Sequence, residues 1–289
     1  MATNASSFRS KYRAAADHVV TGLAIMATAL VVVPLIAIFV YLLLKGASSL
    51  NLDFFIKNPV PEGESGGGMA NAIVGSGVLL AIASIIGVPI GIGAGIYLAE
   101  FGRGTKLANA VRFTADVLNG VPSIVMGLAA YSLIVIPQHH FSAFSGGVAL
   151  GIMMIPTVAR TTEEMLLMVP NMIREAALGL GLSNWRAVLS ITVKTASPGI
   201  ITGCMLAFAR VAGETAPLIF TALQNAFWSV NPNREIESLP VQIWIYATGP
   251  YEDQNRLAWA GAVVLIALIV LAVSLVRYVT SRGVLKGAS

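Results

Sequence analysis

The sequence predicts an all-α, polytopic membrane protein with six membrane-crossing helices and both termini in the cytoplasm. Three observations carry this. Hydrophobic residues make up 56% of the 289 and charged residues only 11%, against roughly half and a quarter in soluble domains. No Asp, Glu, Lys or Arg occurs between Glu64 and Glu100, nor between Asp116 and Arg160. Such stretches exceed the run of about 20 apolar residues that carries a helix across a bilayer core, where only a helix satisfies its own backbone polar groups. The composition also excludes other classes. Cys204 is the single cysteine, so a disulfide framework or a cysteine metal site is ruled out. A net charge of +4 is no nucleic-acid footprint.

The first span covers Val19–Leu44, bounded by His18 and Lys45. It is longer than the roughly 7–15 apolar residues of a signal peptide, so it stays as a helix. The second lies within Met69–Ala99. The uncharged run from Val117 to Ala159 is too long for one crossing and breaks at Pro137-Gln138-His139-His140, giving a third span near 117–136 and a fourth near 143–160. The fifth covers about Thr195–Leu223 and the sixth Leu257–Val276. Residues 1–68 thus hold the N-terminus, the first span and a loop, and residues 69–283 a five-span core.

Basic residues set the orientation. With the N-terminus inside, thirteen fall on inside segments: Arg9, Lys11 and Arg13; Arg103, Lys106 and Arg112; Arg160, Arg174, Arg186 and Lys194; Arg277, Arg282 and Lys286. Outside segments hold only Lys45, Lys57, Arg234 and Arg256. Of the outside loops, Gly46–Gly68 ends in a glycine-rich stretch, Glu62 to Gly68, and reads as flexible. The segment from Gln224 to Arg256 carries Trp228, Trp244, Tyr246 and Tyr251, which suit a membrane interface or a docking surface.

The inside segment from Arg160 to Lys194 is amphipathic. Asn171 follows Pro170 as an N-cap, Glu175 sits at the positive end of a short helix, and Gly179 and Gly181 end it. Met172, Ala176 and Gly179 form a small-residue face suited to a groove on a partner. Glu175-Ala176-Ala177 with Gly181 resembles the loop motif of ABC-importer permeases, and Ser197-Pro198-Gly199-Ile200 is similar to its end, although Val193-Lys194 stands where that family has Leu-Pro. The resemblance implies a type I importer fold and a coupling helix over about 171–186, with Glu175, Ala176, Ala177 and Gly181 contacting a cytoplasmic ATPase.

Further motifs narrow the likeness. Arg210-Val-Ala-Gly-Glu214-Thr215-Ala-Pro217, Asn119-Gly-Val-Pro122-Ser123-Ile-Val-Met-Gly127 and Ser238-Leu-Pro-Val-Gln-Ile243 resemble permeases of phosphate-specific importers, and the final stretch resembles the PstA-type subunit more than its companion. The family implies a second permease subunit, a dimer of ATP-binding subunits that hold ATP and Mg, a periplasmic or surface phosphate-binding protein, and phosphate as cargo. No cofactor is expected in this chain. No Gly-x-x-x-x-Gly-Lys-Ser/Thr run occurs, so nucleotide hydrolysis is assigned to a separate protein.

Charges inside the bilayer cost on the order of 2.5–3.5 kcal/mol each on an insertion scale. Spaced i, i+4, Arg210 and Glu214 can pair on one helical face. An ion pair between helices or subunits is one reading. The other has Arg210 attract an anion, since a planar guanidinium offers parallel donors to phosphate, while Glu214 prevents permanent capture. Pro122, Ser123 and Thr215 complete the pathway residues. Gly87, Pro89, Gly91, Gly93 and Gly95 permit kinks and close helix approach. His139 and His140 occupy an outside turn without a metal role, Glu163 and Glu164 read as a solvated helix start, and Glu100 and Arg103 as interface residues. A permease for molybdate or sulfate is the neighbouring alternative. An ion-driven secondary transporter would need more ionisable groups at mid-membrane.

Overall fold

The computed structural model describes residues 3–286 apart from Glu62 and Ser65, with side chains described at Arg13 and over 16–280. Two residues of the glycine-rich stretch, Glu62 and Ser65, therefore lie outside the described residues, as do the side chains of Arg9, Lys11, Arg282 and Lys286.

Helix α1 runs from Thr3 to Gly46, followed by a tight turn at Ala47–Ser49 and the short helix α2, Leu52–Ile56. Asn51 caps α2 by accepting from the Phe54 amide. The loop read as flexible thus contains an anchored element, because Phe54 is fully buried among Met69, Leu239 and Ala260. Helix α3, Ala70–Ile96, widens into a π-turn over Tyr97–Phe101. Helix α4, Lys106–Gly120, breaks at Val121-Pro122, and α5, Ser123–Ala130, leaves at a bend of 106°. A second π-turn at Tyr131–Val135 leads to α6, Ile136–Gln138. The third span is therefore a broken pair of helices starting at Lys106, not one helix over 117–136. Pro122 supplies no amide donor and fixes its φ, so the α4 ladder cannot continue through it.

Helix α7, Ala143–Leu167, is capped by Ser142, whose hydroxyl accepts from the Ser145 amide. It continues seven residues past the expected end at 160, and this carries Arg160 and Glu163 inside the helix. Helix α8 spans Asn171–Gly179. The fifth span begins at α9, Asn184–Ala187, passes a π-turn at Val188–Thr192 and ends with α10, Val193–Ala212. Helix α11, Ala216–Ile219, follows after a break, then α12, Leu239–Thr248, and α13, Glu252–Lys286. Among the described residues five helices are long and apolar enough to cross a membrane, or six if the bent α4–α5 pair is one span.

The centre of the fold is the α3–α7 seam. A Cβ on Gly91 would come within 2.6 Å of the Val158 Cβ, and one on Gly95 within 2.5 Å of the Thr162 Cβ. Glycines spaced by four let the two backbones approach closely enough for dispersion contacts to hold them together in lipid. Gly93 has no part in this, since it faces open space. The segment after α11 is also more than a loop. Helix α12 returns into the core, burying Leu239, Val241, Gln242 and Tyr246, so Tyr246 is no interface aromatic, whereas Trp228 and Trp244 stay exposed.

Candidate functional site

Two regions carry the chemistry, one at the end of the bundle and one half-way along it. At the end, α8 stops in a turn that needs glycine. Gly181 sits at φ +83°, its amide bonds to the Leu178 carbonyl and the Leu182 amide to the Ala177 carbonyl. This is the double bond pattern of a left-handed helix stop, and it costs an L side chain about 1–2 kcal/mol. Asn171 is the first helical residue rather than the cap, and its side-chain oxygen accepts from Arg174 instead. The helix itself ends at Gly179, short of the expected 186. Glu175, Ala176 and Gly181 are exposed, with Met172 and Leu180 exposed beside them. Ala177 is 2% exposed. It faces the bundle, because the residue after Ala176 lies about 100° round the helix.

What fixes α8 is Arg174, which sequence reasoning assigned only to a topology count. Its Nη2 donates to Glu100 Oε1 at 2.6 Å and to the Leu166 carbonyl at 2.7 Å, and its Nη1 donates to the Val169 carbonyl at 2.6 Å. The two side chains are only 14% and 7% exposed. One guanidinium thus ties α8 to the end of α3 and the end of α7. Glu100 is a buried anchor, not an interface residue, since the π-turn at the end of α3 aims it inward. Arg103 donates to the Ala99 carbonyl.

Half-way along, α4 lies against α7 through a polar ladder. Arg112 Nε donates to Glu163 Oε1 at 2.7 Å, Arg160 Nη1 to Glu163 Oε2 at 3.2 Å, and Arg160 Nε to Asp116 Oδ1 at 3.0 Å. Glu163, 4% exposed, is no solvated helix start; α7 continues past it, and two arginines neutralise it. Glu164, one position on, is exposed. The ladder continues as Thr157 Oγ1 donates to Asn119 Oδ1 at 3.2 Å. Arg210 reaches the same threonine through a long contact of 3.5 Å. At 1.5 Å per residue, Thr157 sits about 21 Å from one end of α7 and about 15 Å from the other. Arg210 therefore meets α7 away from either of its ends, while lying two residues before the end of α10.

Arg210 and Glu214 do not form the expected pair. Helix α10 ends at Ala212, with Gly213 at its cap, so the i, i+4 geometry is lost before Glu214 is reached. Among the described residues Arg210 has no carboxylate partner within 4.0 Å, and it is exposed. Glu214 and Thr215 are half-buried in the break, where the Thr215 carbonyl accepts from the amides of Leu218 and Ile219. Pro122, exposed, and Ser123, half-buried, form the start of α5. A Cβ on Gly127 would come within 2.6 Å of the Pro217 Cα, so α5 packs directly on α11. The fold thus gathers Arg210, Thr157, Asn119 and two helix breaks into one region.

A third cluster centres on Glu237, which the sequence motif Ser238–Ile243 adjoins but does not include. Glu237, 5% exposed, accepts from the Ser238 amide at 3.0 Å in the segment before α12. Burial pushes its pKa up to about 7, partly offset by backbone hydrogen bonds from Ser238 and Asn225. Asn71 Oδ1, Ser238 Oγ and Gln242 Oε1, on elements packed around it, have no partner among the described residues. Nothing in the run Glu235-Ile236-Glu237-Ser238, polar at three of four positions, signals such burial.

Residues 87–283 match the family described as binding-protein-dependent transport system inner membrane component. The chain belongs to this family. It is 48% identical over 235 residues to the phosphate transport system permease protein PstA of Yersinia pestis, covering 81% of this chain and 79% of that protein. The protein of the same name from Haemophilus influenzae is 48% identical over 234 residues, covering 81% and 82%. A probable ABC transporter permease of Bacillus subtilis, YqgI, is 31% identical over 270 residues, covering 88% and 92%. Among solved structures, the MetNI methionine ABC transporter in an inward-facing conformation superposes with a TM-score of 0.55 at 19% identity, over 76% of this chain and 97% of that one. That likeness is one of fold. As a member of this family the chain is an inner-membrane, multi-pass transport component.

Proposed function

We propose that this chain is a permease subunit of an ATP-driven phosphate importer, forming half of the translocation pathway with a companion permease. The observation that carries the reading is Arg210. The arginines of the α4–α7 ladder and of α8 are matched by carboxylates, whereas Arg210, inside a candidate membrane span, stands exposed with Thr157 3.5 Å away and no carboxylate within 4.0 Å among the described residues. An exposed charge inside a span is tolerated where it faces a water-filled path or a partner subunit, not lipid. A guanidinium with a hydroxyl and an amide near it offers several donors to a tetrahedral oxyanion. Glu214 and Thr215, in the break after α10, and Pro122 and Ser123, in the break between α4 and α5, line the same region. With no salt bridge to displace, phosphate is held by few contacts and leaves readily.

Coupling is assigned to α8, on the cytoplasmic side. Glu175, Ala176 and Gly181 form the surface offered to an ATPase, with Met172 and Leu180 as apolar contacts, while Ala177 seats the helix on its own bundle. ATP and Mg are held by two ATPase subunits, and a phosphate-binding protein delivers cargo to the far side. A shift between inward- and outward-open states requires that ATPase contacts differ between them.

The test is uptake by proteoliposomes containing this chain, its companion permease, the ATPase dimer and the binding protein. ATP-dependent phosphate uptake that tenfold sulfate or molybdate does not reduce is expected. Arg210→Gln should abolish uptake while ATP hydrolysis continues. Wild-type uptake by that variant would overturn the pathway assignment, and uptake by the chain alone would overturn the importer reading.

A further inference from the structure

Two concavities at the end of the bundle away from α8 adjoin one another on α1. The first is polar, about 420 Å³, between the end of α1 and the start of α13, and includes Lys45, Ser48, Ser49, Arg256 and Trp259. The second is an apolar hollow of about 490 Å³ on α1, lined by Val33, Ile36, Ala37, Val40, Tyr41 and Leu44. They meet on one stripe of α1 at Tyr41, which lines the hollow and packs on Trp259 of the polar pocket, and Lys45 follows one turn on, just before α1 ends at Gly46.

An edge-on aromatic pair, Tyr41 and Trp259 with centroids 5.4 Å apart, marks the boundary. Such rings settle at the headgroup level of a bilayer. Above them Lys45 and Arg256 contribute two positive charges. The single carboxylate in the pocket, Glu252, is 91% exposed and 4.0 Å from Arg256 Nη2, so it offsets them weakly. The pocket carries a net charge of about +1 by this count of side chains. A helix of another subunit laid in the hollow would press its end onto these charges. A ligand with one negative charge and a hydrocarbon tail satisfies both halves.

We propose that this composite site holds one glycerophospholipid, with its phosphodiester between Lys45 and Arg256 and an acyl chain along the α1 hollow. Seryl hydroxyls at 48 and 49 can donate to the phosphate oxygens. An anionic headgroup is preferred to a zwitterionic one because the pocket's charge is left unmatched by the latter.

The experiment is native mass spectrometry on the full chain in detergent, titrated separately with phosphatidylglycerol, phosphatidylcholine and inorganic phosphate. Phosphatidylglycerol should form a one-to-one adduct, held more tightly than phosphatidylcholine. Lys45→Gln and Arg256→Gln should each weaken it about fivefold, as one basic residue at a lipid surface does. Ala37→Trp should weaken it with the charges intact, and Lys57→Gln, outside the pocket, should leave it unchanged. Equal retention by the Lys45→Gln/Arg256→Gln double variant would overturn the proposal. Inorganic phosphate binding that the same two replacements remove, with no gain from acyl chains, would show a free-anion site instead. Loss of the adduct from wild type on adding the companion permease would show that protein covers the stripe.

Discussion

The ion pair of Arg174 and Glu100 makes a sharp prediction about coupling. Glu100→Ala removes the acceptor of two guanidinium nitrogens, Nη2 at 2.6 Å and Nε at 3.1 Å. Each charge-assisted bond is worth about 1.5–3 kcal/mol, and stripping one partner from a buried pair costs about 3–5 kcal/mol. The carbonyls of Leu166 and Val169 still receive the guanidinium, which places the expected loss near the lower end, at about 3 kcal/mol. That loss falls on the attachment of α8 to α3, not on its attachment to α7. Helix α8 would then move against the ATPase without carrying α3 with it. In proteoliposomes of the assembled transporter, Glu100→Ala should lower phosphate moved per ATP hydrolysed severalfold while hydrolysis persists. Glu100→Asp, which keeps the charge on a shorter arm, should recover part of the ratio. A wild-type ratio in the alanine variant, with its unfolding temperature lowered, would mean that the pair only stabilises the fold.

Three other perturbations follow from the geometry. Gly181→Val forces a β-branched residue to φ +83° and should uncouple hydrolysis from uptake, whereas Gly181→Asn, which tolerates that region, should retain most uptake. Gly91→Ala should destabilise the bundle by about 1–3 kcal/mol through overpacking against Val158, and Gly93→Ala, facing open space, should be neutral or slightly stabilising in detergent melts. Glu237, with its pKa raised from 4.5 to about 7, binds a proton more tightly folded than unfolded. Its contribution is therefore intact below about pH 4.5 and lost as pH rises through 7, a fall of order 3 kcal/mol. Glu237→Gln should flatten the melting temperature between pH 5 and 8, and an unchanged slope would contradict the burial argument.

Hydropathy revealed the spans because crossing a bilayer imposes a length and a composition that local sequence displays directly. Pro122 was legible as a candidate pathway residue, whereas the 106° bend it makes in the third span was not. Nor was long-range pairing. Glu163 looked like a solvated residue because, although Arg160 is three positions before it, its closer partner Arg112 lies 51 positions away, and Glu100 and Arg174 are 74 apart. The supposed Arg210–Glu214 pair failed for the opposite reason. Local spacing suggested a helix through both, but α10 stops at Ala212, and tertiary packing of α11 on α5 takes over. Helix α12 was hidden in a loop because ten residues are too few to announce themselves as a span.

The glycine seam has a consequence for the register of α7. Each residue advances a helix by about 100°, so a one-residue insertion after Gly151 would swing everything below it around the axis by that angle. Val158 and Thr162 would leave the grooves at Gly91 and Gly95, and Glu163 would swing away from Arg112 into hydrocarbon or solvent. Length variation between these two helices is thus intolerable in a way that it is not between α11 and α12.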